Sequence, residues 1–274
     1  MKKLLLQIGT ISFLVSIVIS CENTTIIDVE SNITIDTTIN IEYPTKLYKL
    51  DSVELSQLII ESPYPLDAYG LVCRIGFLNG GYSSINNADS VIDLAKKTLI
   101  QNSKFSNVTS DSSLILNSVE RYTGPGDFSH WTVIFENQIY DGIEILNTRI
   151  IQIVTNTVTI IDGHHFNNIF IPEEGLLPID TIKAKIVGKT IEYYDWVGIQ
   201  EKIITHNSIV DDFIKKIYWF EKENYLEFRV VWQIPILYND NPSDDLVGWG
   251  YVGWYIYVDI LSGEILYILP TFIS

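Results

Sequence analysis

The chain is poor in cysteine and in positive charge. Its two cysteines, Cys21 and Cys73, in 274 residues exclude a disulfide framework and a four-cysteine zinc site. Lysine and arginine number 18 against 34 acids, for a net charge of −16. That balance argues against nonspecific nucleic-acid binding, because phosphates reward basic side chains. It also argues against electrostatic attraction to anionic lipid headgroups. None of the four histidines, His130, His164, His165 and His206, is followed by Glu, so the His-Glu-x-x-His zinc-peptidase helix is missing. A Gly-x-Ser-x-Gly nucleophile elbow is missing, as is a phosphate-binding loop. What is present is a hydrophobic share of 47% with 19% charged residues, which suits one or two globular domains and not a disordered chain.

One long apolar run occurs, LLLQIGTISFLVSIVI at residues 4–19, preceded by Lys2 and Lys3. It is short for a permanent span, which wants about 20 residues, and it has the length and flanks of a secretory signal. Val18-Ile19-Ser20-Cys21 then resembles the lipobox of bacterial lipoproteins. The resemblance implies cleavage before Cys21 and lipidation of its thiol; several acyl chains make such an anchor durable. The alternative is an ordinary signal peptide with an incidental cysteine. Cleavage would remove two lysines and no acids, taking the net charge to −18. The expected location is extracytoplasmic, tethered to a bacterial membrane by lipid. Cys73, inside LVCRIGF, reads as a small buried side chain.

Residues 21–50 are rich in Thr, Asn, Asp and Ile and read as a tether. Ile33, Ile35, Ile39 and Ile41 alternate with polar residues, as in an edge strand before Pro44. Residues 52–61 predict a short helix stopped by Pro63 and Pro65, and residues 68–78 a strand. Ala88, Val91, Ile92, Ala95 and Leu99 predict a helix over 88–101, capped by Asn86 or Asn87. Strands are expected at 113–121, 130–140, 145–155 and 157–161, with a turn at Asp141-Gly142. A second helix starts near Ile179 with Asp180 as its cap. Strands follow at 213–220, 225–234, 253–260 and 264–269. In 225–234, Leu226, Phe228, Val230, Trp232 and Ile234 share one face; Tyr225, Glu227, Arg229 and Gln233 share the other. The expected fold class is α+β, a helix packed on an antiparallel sheet occurring twice in succession.

Three further features were weighed for chemistry. His164-His165 are a poor metal pair, because adjacent strand residues point to opposite faces. Asn239-Asp240-Asn241-Pro242-Ser243-Asp244-Asp245 is acidic but lacks EF-hand spacing. Trp249 and Tyr251, in a loop with Gly248, Gly250 and Gly253, are the candidate partner-binding residues, since aromatics supply contact area at low entropic cost. A small core under that loop is the alternative. Trp232 and Trp254 read as core.

The order of these pieces carries a resemblance. Gln138-Ile139-Tyr140-Asp141-Gly142-Ile143-Glu144-Ile145, with Asp162-Gly163 at a later turn, resembles the fungalysin/thermolysin propeptide domain. Ile179-Asp180-Thr181-Ile182-Lys183-Ala184, with Tyr255-Ile256-Tyr257-Val258-Asp259 and Ser262-Gly263-Glu264-Ile265-Leu266, is similar to the PepSY domain that follows it in those precursors. The resemblance implies a signal peptide at 1–20, a tether at 21–50 and an N-terminal extension at 51–84. A cystatin-like propeptide domain then covers 85–172 and a PepSY domain 173–274. Residues before 85 and the aromatic stretch 236–252 depart from it. The resemblance brings a propeptide without its enzyme. It implies a noncatalytic lipoprotein, with no cofactor or metal, that binds or restrains an extracytoplasmic metallopeptidase or another envelope protein. An envelope peptide- or glycan-binding module using Trp249 and Tyr251 is the other reading.

Overall fold

The structure is a computed structural model. It describes residues 43–61, 66–71, 75–78, 87–124, 129–155, 158–172, 174–195, 198–240, 246–247, 250–251 and 253–271. Cys21 with its lipobox, Cys73, Trp196 and Trp249 lie outside the described residues, as does the side chain of Tyr251. Among the described residues no helix is long and apolar enough to cross a membrane.

The fold is α+β, with helices laid on antiparallel sheets. The smaller sheet has five strands: β2 (Ile75–Leu78), β3 (Leu116–Thr123), β4 (Ser129–Phe135), β7 (Ile150–Thr155) and β8 (Val158–Asp162), in spatial order β2-β8-β7-β4-β3. Helix α2 (Ala88–Gln101) covers it, and the one-turn helix α3 (Ser103–Ser106) follows. Asn87 is the cap, its side chain accepting from the Ser90 N–H at 2.8 Å, which satisfies one of the helix's orphan donors. Val91, Ala95 and Leu99 recur every fourth residue and are buried against Val133, Phe135, Ile150, Val154 and Ile161. The expected alternation of 130–135 is present, with Val133 and Phe135 inside.

The larger sheet is built from β5 (Ile139–Tyr140), β6 (Ile143–Ile145), β11 (Ile214–Glu221), β12 (Tyr225–Leu237), β15 (Gly253–Asp259) and β16 (Ile265–Pro270). Its order is β16-β15-β12-β11-β6-β5, with β1 (Lys46–Tyr48) pairing a further part of β12. Helix α4 (Ile179–Ile186) buries Ile182 and Ile186 in the same core as Ile217, Phe228, Val230, Trp254 and Ile256. Trp254 is fully inside, and Trp232 is half-buried against the same cluster, as expected. The long strand β12 satisfies its backbone in three ways. It pairs β11 over Leu226–Gln233, β15 over Val231–Leu237, and β1 over Tyr225–Glu227.

Several expectations are corrected. Residues 130–140 and 145–155 are not single strands. The chain leaves the smaller sheet after Phe135, forms the β5–β6 hairpin, and returns at Ile150. Asp141 and Gly142, with φ of 48° and 74°, make the tight turn of that hairpin, the left-handed pair that a two-residue turn demands. β6 then pairs β11 in parallel, so residues 139–145 belong to the larger sheet and the sheets do not divide at residue 172. Residues 43–50, expected as the end of a tether, are built into the larger sheet through β1; the edge strand expected at Ile33, Ile35, Ile39 and Ile41 lies outside the described residues. The strand expected from 68 starts at Ile75. Asp67 turns the chain before it, accepting from the N–H groups of Tyr69 and Leu71, both at 2.9 Å. Pro178, not Asp180, occupies the cap position of α4, with Asp180 in the first turn. The hairpin of β9 (Thr190–Asp195) and β10 (Gly198–Ile203) was not expected. Helix α1 occupies Ser52–Glu61 as predicted.

Candidate ligand-binding face

Strand alternation gives the larger sheet a second face, turned away from α4. On β11, Ile217 points into the core, which places Lys216, Tyr218 and Phe220 on the far side. Cross-strand register adds Glu227 and Arg229 from β12, Tyr257 and Asp259 from β15, Tyr267 from β16 and Glu144 from β6. Tyr225 and Tyr48 face each other at the far end. The side of β12 that reads as simply polar is therefore part of an aromatic and charged surface.

The aromatics are in contact. Tyr267 stacks on Tyr218 with centroids 5.6 Å apart and lies 5.7 Å from Tyr257. Tyr218 reaches Phe220 at 6.1 Å. These spacings are those of favourable ring pairs. Burial first, and then the neighbouring Tyr267 hydroxyl, push Tyr218 and Tyr257 up to about 12. Their hydroxyls stay protonated and available as donors.

Beyond Phe220 the surface becomes ionic and buried. The Arg229 guanidinium lies 4.7 Å from the Phe220 ring centroid and 4.2 Å from that of Tyr43. Its Nε donates to Glu227 Oε1 at 2.7 Å, and Nη1 reaches Asp259 Oδ2 at 3.2 Å. Asp259 is fully buried. Its other oxygen accepts from the N–H groups of Leu261 and Ser262 at 2.7 and 2.9 Å, which builds the β15–β16 turn. The Tyr43 hydroxyl donates to Asp259 Oδ2. Burial, and then the Asp259 bond and charge, push Tyr43 far above its ordinary value, so it remains a donor. The network thus fastens the N-terminal arm across the sheet. At the other end Lys216 pairs with Glu144. Burial opposes the Glu144 charge, but Lys216 and Asn137 outweigh it and hold the carboxyl below its ordinary value.

Of the candidate residues, only the backbone of Tyr251 is described. It pairs with Leu246 in the two-residue ladder of β13 (Leu246–Val247) and β14 (Gly250–Tyr251). Sequence reasoning missed Tyr218, Tyr257 and Tyr267 as a group. The available signal was Lys216-x-Tyr218-x-Phe220 and Tyr255-x-Tyr257-x-Asp259, two runs with a polar or aromatic residue at every second position.

The histidines are not brought together. His164 stacks on Phe166 at 6.0 Å, with Nε2 3.5 Å from Asp67. His165 is buried and lines a cavity of about 10 Å³ with Leu99, Phe105, Ile150 and Ile161, about the room for one water. Among the described residues no group of three or more His, Cys, Asp and Glu side chains is placed to hold a metal ion. Both ring nitrogens of His165 lack a hydrogen-bond partner. Burial holds His165 below its ordinary value, and the approach of Asn107 offsets this only in part. Unfolded, the ring takes up a proton at a pH where the folded ring does not. Stability is therefore full above the unfolded value of about 6.5 and falls as pH drops below it, by about 1.4 kcal/mol for each pH unit while the two states differ by one whole proton. His130 is lowered by burial too and adds to the slope. Urea unfolding at pH 7.5, 6.5 and 5.5 should show the fall in wild type and a shallower one in His165→Phe. Equal slopes would remove His165 as a cause.

No protein-family model matches the chain, and no curated protein matches it. Among solved structures, the chain is similar to the Bacillus megaterium YpeB C-terminal domain at 10% identity, over 81% of this chain and 98% of that one, with a TM-score of 0.28.

Proposed function

We propose that the chain is a noncatalytic extracytoplasmic lipoprotein, anchored through Cys21, that binds or restrains a peptidase or another envelope protein. The observation that carries this reading is the tyrosine-lined second face of the larger sheet. On it Tyr267 is exposed and Tyr218 half-buried over the buried Tyr257, and its ionic groups are engaged with one another. Such a surface suits a macromolecular partner. The resemblance of residues 138–145 and 179–266 to the propeptide and PepSY domains of metallopeptidase precursors supports the peptidase as partner. Because fold alone never fixes function, the test is direct. The chain, immobilised, is exposed to envelope and secreted fractions of its source. Retention of a zinc metallopeptidase whose activity falls when equimolar chain is added is the expected result. A retained peptidase that cleaves its substrate at an unchanged rate would end the restraining role.

A further inference from the structure

Sheet edges are hazards that proteins blunt with charges, bulges, very short strands or covering elements. Among the described residues, most edges of this chain are managed in one of these ways. β3 carries Glu120 and Arg121, with a register shift between Leu116 and Ser118. β5 has two residues and β1 three. β16 differs. It ends the order of the larger sheet, its sequence is ILYILP, and it has no charge before its terminal Pro270. Tyr267 and Leu269 are 41% and 39% exposed on the tyrosine face. The antiparallel register with β15 leaves alternate backbone N–H and C=O groups of β16 pointing away from the sheet.

The electrostatics select the occupant. β15 and β16 together contain no lysine or arginine. Asp259 and Glu264 stand at their turn, and the whole chain carries −16. Arg229 is held by Glu227 and Asp259, and at the turn Lys185 lies against Gly263 while Lys189 acts on Glu264. An added strand would set every second side chain beside Tyr267, where a ring face attracts a cation. A second copy of this chain would bring the same negative charge to the edge. We infer that β16 is a docking edge for an extended basic segment of a partner protein, added as a seventh strand to the path β16-β15-β12-β11-β6-β5, with a Lys or Arg side chain over the exposed Tyr267 ring. This rests on the binding role proposed above and names the place and chemistry of contact.

The probe is a capped ten-residue peptide of alternating Lys and Val, with a Glu-Val counterpart. Titration calorimetry on the full chain should show binding of the basic peptide and none of the acidic one. Amides of residues 265–269 should gain protection from hydrogen exchange when the basic peptide is bound. Tyr267→Lys/Leu269→Lys, two exposed positions, should weaken binding about tenfold or more, which corresponds to the loss of one favourable contact of about 1.4 kcal/mol. Ile139→Lys, on the opposite edge strand β5, should leave it unchanged. The inference is overturned if neither peptide binds, if both bind alike, if the double variant binds as tightly as wild type, or if β16 is protected instead by dimerisation of the chain. A double variant that still captures and inhibits the peptidase would overturn the edge alone. A chain that binds the basic peptide at β16 while capturing no protein would overturn the peptidase reading alone.

Discussion

Arg229→Met is expected to destabilise the fold by about 3–5 kcal/mol, the range for removing one partner of a buried charge pair. Methionine keeps the unbranched stem, so packing between Tyr43 and Phe220 is largely retained and the charge is what changes. Glu227 and Asp259, only 5% and 0% exposed, then face each other with no guanidinium between them. Glu264, 3.5 Å from Nη1 and half exposed, has water in place of the lost partner and adds little. Asp259 must keep its bonds to Leu261 and Ser262, so it cannot turn away without opening the β15–β16 turn. Urea unfolding at pH 7 measures the loss. Adding Asp259→Asn to Arg229→Met should recover part of it, because asparagine can accept the same two N–H bonds without a charge. A cost under about 1 kcal/mol for Arg229→Met would mean that the acids are solvated and that the arm is held by Tyr43 packing alone.

The same cluster shows where sequence reading stops. The alternation of β12 was legible, and the side carrying Leu226, Phe228, Val230 and Ile234 is the core. Alternation states which side is apolar but not what lies over the polar side. Tyr43 comes from 216 residues away in the chain to bond Asp259, and no local pattern announces it. Residues 43–50, YPTKLYKL, read as tether because they follow the Thr- and Asn-rich stretch and are too few to show a period of their own. The Asp141-Gly142 turn was legible from its dipeptide. That its hairpin joins the other sheet was not, because β6 meets β11 through only two paired positions. The β9–β10 hairpin escaped for a different reason: Thr190–Asp195 and Gly198–Ile203 mix charged and aromatic residues without a clean period of two. Helix α2 was readable to its cap, since an Asn before an apolar 3–4 spacing is a local signal. The tyrosine face was not, since it assembles from β11, β15 and β16 only when the sheet forms.

Gln138→Leu is expected to cost about 2–6 kcal/mol, because it strands two buried backbone groups at about 1–3 kcal/mol each. Gln138 is the first residue of the stretch that resembles a propeptide motif, and its position explains why an amide stands there. Its Nε2 donates to the Phe166 carbonyl at 2.6 Å, and its Oε1 accepts from the Phe166 N–H at 2.8 Å. One side chain thus supplies both bonds that a neighbouring strand would have made. Its own N–H donates to Thr148 Oγ1 at 2.8 Å, and Thr148 in turn donates to the Ile145 carbonyl at 2.6 Å. The clamp therefore ties the β5–β6 excursion to the segment after β8. That segment places Phe166 edge-on to Phe228 and Trp219, at 4.8 and 5.3 Å, while His165 lines the cavity beside the smaller core. Leucine matches the volume but offers neither donor nor acceptor, so the cavity term stays small and the polar term dominates. Equilibrium unfolding followed by tryptophan fluorescence and by far-ultraviolet circular dichroism should give the same loss with both probes. Amides on both sheets should exchange faster, because one clamp serves both cores. A loss confined to fluorescence, or a cost below about 1 kcal/mol, would mean that water replaces the amide and that Phe166 is held by ring packing alone.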